Sequence, residues 1–152
     1  MATLPEGADA LALTDAVTRL RRALRAGVRT DIAWETLPMA QVELLQSLAE
    51  DAPVRVGDLA ERLHLAPSTV SGLISQMLAS GLVERGTDPD DRRAAVVTVA
   101  PAGREQLAAW EAANERRISA ALSALPDEER DAIVGAVPAL RALAARLAGA
   151  SG

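Results

Sequence analysis

Residues 54–99 read VRVGDLAERLHLAPSTVSGLISQMLASGLVERGTDPDDRRAAVVTV, and the order of elements along this stretch decides the fold. Leu59, Ala60 and Leu63 recur at helical spacing and mark the inner face of a short helix over Val56–Leu63. His64-Leu65-Ala66 breaks it. Pro67 then suits the first position of a second helix, where its missing N–H would have no partner anyway. Val70, Leu73, Ile74 and Met77 fall on one side of that helix, and Gly81 ends it, because glycine adopts the left-handed conformation of a terminator without steric cost. A short helix, a tight turn and a second helix of about fourteen residues make a helix-turn-helix.

Two strands are expected next, Leu82–Arg85 and Ala94–Val99, joined by the turn chemistry of Asp88-Pro89-Asp90-Asp91. A hairpin directly behind a helix-turn-helix is a wing. Arg92 and Arg93, near its tip, are placed to reach a DNA backbone or a narrow minor groove, where negative potential is concentrated. Asp91 lies two residues before Arg93 and is expected to orient its guanidinium by a charge-assisted hydrogen bond.

The flanks read as helices. Leu13, Val17, Leu20, Leu24 and Val28 form one stripe over residues 9–30, with Arg22, Arg25 and Arg29 on another face. Pro38 precedes a helix over Met39–Ala49, and Pro101 opens a long one over Ala102–Leu125. Pro126-Asp127-Glu128-Glu129 starts the last, with acids at the positive end of the helix dipole. Its stripe is Ile133, Val137, Leu140, Leu143 and Leu147, and Pro138 predicts a kink. The fold class is therefore mainly α: a winged helix-turn-helix with a short β-hairpin wing and long terminal helices. Residues 1–152 form one domain, with the winged lobe at 38–100 and dimerisation helices at 9–30 and 102–149. The terminal stripes carry more apolar surface than a small winged helix can bury, which predicts a homodimer.

Composition narrows the function. Of 152 residues 49% are hydrophobic, yet Phe and Tyr are absent, so the core must be aliphatic and packed between helices. Without cysteine there are no disulfides, thiolate metal sites or thiol switches. The opening MATLPEGADA lacks the pattern of a secretory signal, and no run of about eighteen apolar residues predicts a membrane span. A cytoplasmic protein with no membrane partner is expected. An enzyme is not: the lone His64 sits in a turn, the carboxylates cluster in turns and helix starts, and no glycine-rich phosphate loop appears. Neither a cofactor nor a metal is expected. His64 has no second histidine, and the calcium-like run Asp88, Asp90, Asp91 is interrupted by Arg92 and lacks the turn glycine.

The net charge of −5 argues against a polyanionic partner by its total, so distribution must decide. All sixteen basic residues are arginines, the better fork for phosphate and base edges. Leu63 through Val83 carries no formal charge. Anchoring to phosphate would then fall first on Arg92 and Arg93, with Arg55, Arg62 and Arg85 as helpers. The uncharged helix and acidic total leave one alternative, a protein-binding winged helix that acts as an anti-regulator with little DNA affinity.

LAERLHLAPSTVSGLISQMLASGLVER followed by DPDDRRAAVVTVAPAGRE resembles the MarR-type regulators, named for multiple antibiotic resistance, and the likeness extends across nearly the whole chain. The resemblance implies a homodimer with interleaved terminal helices that binds palindromic double-stranded operator DNA, usually as a repressor. It also implies a small-molecule effector held where the dimerising helices meet the DNA-binding lobe, in segments containing Trp34, Met39 and Trp110. Carried over by position, the family's wing arginine falls on Arg93 and its orienting acid on Asp91, with Arg92 a second phosphate contact. The recognition-helix contacts fall on Ser68, Thr69, Ser71, Gly72 and Gln76. Helical rotation selects an overlapping set: Ser68, Gly72, Ser75 and Gln76 face away from Val70 and Ile74, with Thr69 and Ser71 at the margins. Gln76 suits a bidentate pair with adenine. The sequence departs from the family twice. Gly72 and Gln76 occupy positions where a basic residue is usual, and Ala100 replaces a threonine that caps the following helix.

Overall fold

The computed structural model describes residues 6–28 and 37–149, and the chain divides into two compact units between residues 36 and 37. The first contains α1 (Glu6–Val28). Thr14 and Thr18 donate their hydroxyls to the carbonyls one turn back, and Arg19 pairs with Asp15 at 2.7 Å. Its apolar residues Leu13, Val17 and Leu20 are exposed in the single chain. The side chains of Arg25 and Val28, and all of Arg29, lie outside the described residues.

The second unit runs α2 (Met39–Asp51), β1 (Val54–Arg55), α3 (Val56–Leu63), α4 (Pro67–Ala79), β2 (Val83–Thr87), β3 (Ala95–Val99), α5 (Pro101–Ser123) and α6 (Asp127–Gly149). The three strands form one antiparallel sheet in the order β1-β3-β2. Val83 sits opposite Val99 and Thr87 opposite Ala95, while β1 adds Val54 opposite Val97. β1 was not expected from the sequence. Two residues are too few to show alternation, and the strand exists only because β3 offers it a free edge.

The core is aliphatic throughout. Val42, Leu44, Leu45 and Leu48 of α2 meet Leu59 of α3, Val70, Ile74 and Met77 of α4, and Val54, Val83, Val97 and Val99 of the sheet. Burying side chains of this size stabilises by about 1.5–3 kcal/mol each, before ordering entropy is counted against it. Two backbone features set the joints. His64 takes a left-handed conformation (φ 51°) and ends α3, and Gly81 (φ 71°) terminates the turn after α4 as the sequence predicts. Gly103 in the first turn of α5 is dictated by closeness instead: a Cβ there would lie 2.0 Å from the Leu82 carbonyl oxygen. That carbonyl accepts the Ala100 N–H at 3.0 Å, so the start of α5 is locked against the turn between α4 and β2. No side chain caps α5 at Ala100.

α6 runs unbroken through Pro138 and buries none of its residues. Ile133, Val134, Val137, Leu140, Leu143 and Leu147 are all exposed. By length and composition alone α6 is also apolar enough to cross a membrane. The expectation that no segment would qualify came from looking for an uninterrupted apolar run. Averaged over eighteen residues beyond its charged first turn, abundant alanine, leucine and valine outweigh Arg141 and Arg146.

Candidate nucleic-acid interface

The reading helix is positioned from beneath. At the end of α3 the N–H groups of His64 and Leu65 reach back to Glu61 and Ala60, which seals the turn. Pro67 then begins α4, and Val70, Ile74 and Met77 are drawn fully into the core. Helical rotation leaves Ser68, Thr69, Ser71, Gly72, Ser75 and Gln76 on the outside, and all six are exposed. Ser75 donates its hydroxyl to the Ser71 carbonyl at 2.9 Å, so its proton is already engaged within the helix. A Cβ at Gly72 would meet nothing within 4 Å. That glycine is not required by packing, and it leaves a bare patch in the middle of the polar face.

The wing loop, residues 88–94, is built from aspartates used as backbone acceptors. Asp88 Oδ1 accepts the Asp90 N–H at 2.8 Å, and Asp91 Oδ1 accepts the Arg93 N–H at 3.0 Å. The Asp88 N–H donates to Ala94 O at 3.0 Å, and the Ala94 N–H to Asp91 O at 2.9 Å. Asp91 therefore fixes the backbone beneath Arg93 and not its guanidinium, as the sequence suggested. A carboxylate two residues upstream meets the peptide N–H first, as in any Asx turn. Arg92 and Arg93 are exposed, and among the described residues neither has a carboxylate within ion-pair distance. Their guanidiniums are available.

The helper arginines separate into two groups. Arg85, opposite Val97 on β2, is exposed and has no ion-pair partner among the described residues. Arg62 pairs instead with Asp51 of α2 at 3.1 Å. Arg55 donates Nε–H to Asp88 Oδ2 at 2.6 Å. This last contact joins residues 33 apart and has no local signal. The hydrogen bond from the Asp90 N–H, followed by that from Arg55, holds the Asp88 carboxyl below the usual carboxylate range. The same hydrogen bond and the charge of Asp88 raise Arg55.

Of the expected effector residues, the structure describes Met39 and Trp110. Trp34 lies outside the described residues. Met39 is exposed at the start of α2. Trp110 is half-buried against the core, and its carbonyl accepts from Asn114 at 2.9 Å. Two shallow concavities, one along α5 beside Glu115 and Arg116 and one between α2 and α3 beside Glu50 and Arg62, contain neither Met39 nor Trp110.

The MarR family model matches residues 37–95, which span α2 to the first residue of β3. A helix-turn-helix-type transcriptional regulator of Mycobacterium bovis is 29% identical over 131 residues, covering 86% of this chain and 89% of that protein. Among solved structures, the transcriptional regulator Tm0710 from Thermotoga maritima superposes with a TM-score of 0.68 at 27% identity, over 93% of this chain and 96% of that one. BpsR from Bordetella bronchiseptica, whose DNA binding is regulated by 6-hydroxynicotinic acid, superposes with a TM-score of 0.63 at 25% identity, over 86% and 98%.

Proposed function

We propose that the chain is a MarR-type transcriptional regulator with a DNA-binding helix-turn-helix, and that it works as a homodimeric, effector-responsive repressor of palindromic operator DNA. The observation that carries this reading is the pairing of an exposed, uncharged polar face on α4 with two wing arginines that have no ion-pair partner among the described residues. The α4 face reads base edges in the major groove through Gln76, Ser68, Thr69 and Ser71, with Gly72 allowing close approach. Arg92 and Arg93 supply phosphate neutralisation, which dominates affinity for duplex DNA. The acidic total and uncharged α4, the ground for the protein-binding alternative, weigh less than the exposed wing arginines and the likeness to transcriptional regulators.

Residues 38–100 form the reading lobe, and α1, α5 and α6 form the dimer. Support for the dimer is the apolar stripe of α6, where Ile133, Val134, Val137, Leu140 and Leu143 remain exposed and no residue of the helix is buried. Covering it against a second copy removes that surface from water and sets two reading helices about 34–36 Å apart, one turn of duplex. This is also why α6 serves as an interface and not a membrane span. An effector in contact with Trp34, Met39 or Trp110 would bias that spacing and release DNA in the cytoplasm. The sensitivity of BpsR to 6-hydroxynicotinic acid supports this mode for a protein of the same fold.

Selection of duplexes from a random-sequence pool, followed by fluorescence anisotropy and light scattering, tests the reading. A two-fold symmetric consensus bound by a dimer is expected. A monomer at micromolar concentration, or no enrichment over competitor DNA, would refute it.

A further inference from the structure

Three parts of the DNA-binding unit meet at Arg55. It closes β1 opposite Val96 of β3, and it is the residue from which α3 starts, in extended conformation (φ −70°, ψ 145°). Its Nε–H reaches Asp88 at 2.6 Å. Asp88 opens the wing loop and, at 9% exposure, is the one buried charged residue among those described. Burying a carboxylate is costly unless its charge and lone pairs are engaged. Here both oxygens are, one by Arg55 and one by the Asp90 N–H, while the residue's own N–H holds Ala94 across the loop. The loop carrying Arg92 and Arg93 is thus a closed frame, and its root is fastened to the residue just before the helix-turn-helix.

We infer that the Arg55–Asp88 pair is a positioning brace that keeps the wing arginines in register with the reading helix, and that neither of its members contacts DNA. The inference rests on the proposed role of Arg92 and Arg93 in DNA binding. It has a consequence of unusual sign. Replacing Asp88 by Asn removes a negative charge close to a polyanion, and Coulomb attraction alone would then tighten binding. Loss of the brace does the opposite, since Asn still accepts the Asp90 N–H but no longer holds Arg55.

The test uses the full chain and a fluorescein-labelled duplex selected by the wild-type protein from a random-sequence pool. Asp88→Asn and Arg55→Gln are each expected to weaken binding at least tenfold. The double variant should bind no worse than the weaker single one, because both changes break one contact. Arg55→Lys should recover part of the Arg55→Gln loss. Adding Arg93→Ala to Arg55→Gln should cost less than the separate losses combined, a coupling that a general fold defect would not produce. If Asp88→Asn binds as tightly as wild type or tighter while Arg93→Ala is weakened, the brace is wrong and the wing reading stands. If Arg93→Ala binds like wild type, the wing reading fails and the brace falls with it. Should Asp88→Asn not fold by circular dichroism, Arg55→Gln decides, and wild-type affinity in that variant overturns the brace.

Discussion

Replacing Arg93 by alanine probes the wing without disturbing the fold. The side chain is exposed and has no carboxylate partner among the described residues, so its removal leaves no orphaned charge in the protein. Its backbone N–H still donates to Asp91 Oδ1, so the turn keeps its shape. The whole effect should therefore appear on DNA. A charge-assisted hydrogen bond contributes about 1.5–3 kcal/mol, and an operator engages two wings. Competition from water reduces that sum, and at least about 1.4 kcal/mol, a tenfold loss, should survive. Counterion release gives a second number. Each neutralised phosphate contributes about −0.9 to the slope of log affinity against log salt, so losing two flattens it by roughly 1.8. Anisotropy titrations between about 50 and about 200 mM salt measure both quantities. Arg93→Lys separates charge from shape: it should keep the slope yet recover only part of the affinity, because an ammonium lacks the planar fork. Unchanged affinity and slope in Arg93→Ala would refute the reasoning.

Gly72→Arg should raise helix stability by up to about 1 kcal/mol, since glycine is a poor helix former and its Cβ position is open. It should also steepen the salt slope by about one per added phosphate contact, a shift that anisotropy reads directly. Gly103→Ala should destabilise by about 1–3 kcal/mol despite the better helix propensity, because the new methyl would sit 2.0 Å from backbone oxygen of Leu82. Thermal melting should fall by about 2–4 °C per kcal/mol, and an unchanged midpoint would show that α5 shifts freely. Asp88 is held below its ordinary pKa by the Asp90 N–H and by Arg55, so its contribution is complete above the unfolded value near about 3.9 and is lost as pH falls through the lower folded value. The melting difference between wild type and Asp88→Asn should accordingly persist at neutral pH and close in strong acid. A difference that grew on acidification would have the wrong sign.

Most of the architecture was legible because local signals agreed. α3 occupies Val56–Leu63 as the spacing of Leu59, Ala60 and Leu63 predicts, and Pro67 and Gly81 mark the joints around α4. Hairpin and long helices also appear where expected, with shifts at their ends. β2 runs on to Thr87, two residues beyond Arg85, because pairing with β3 and not side-chain alternation sets its length. What could not be read were features created by tertiary closeness. β1 depends on the edge of β3, Gly103 answers a carbonyl twenty-one residues earlier in the chain, and Arg55 finds Asp88 across 33 residues. The exposed polar face of α4 was legible for a simple reason: it is what remains of the helix once Val70, Ile74 and Met77 are buried. The local partners of Asp91 and Arg62 were not legible for the converse reason, since the Arg93 N–H and a carboxylate on another helix engage them in the folded chain.

Hydroxyl-radical footprinting of the wild-type protein and Arg93→Ala on the selected duplex addresses the central claim most directly. Wild type should protect two symmetric half-sites whose centres lie about 10–10.5 base pairs, or a multiple of that, apart, together with flanking minor-groove positions that Arg93→Ala exposes again. A single asymmetric footprint, or flanks that stay protected without Arg93, would contradict the picture of paired uncharged reading helices held on DNA by their wings.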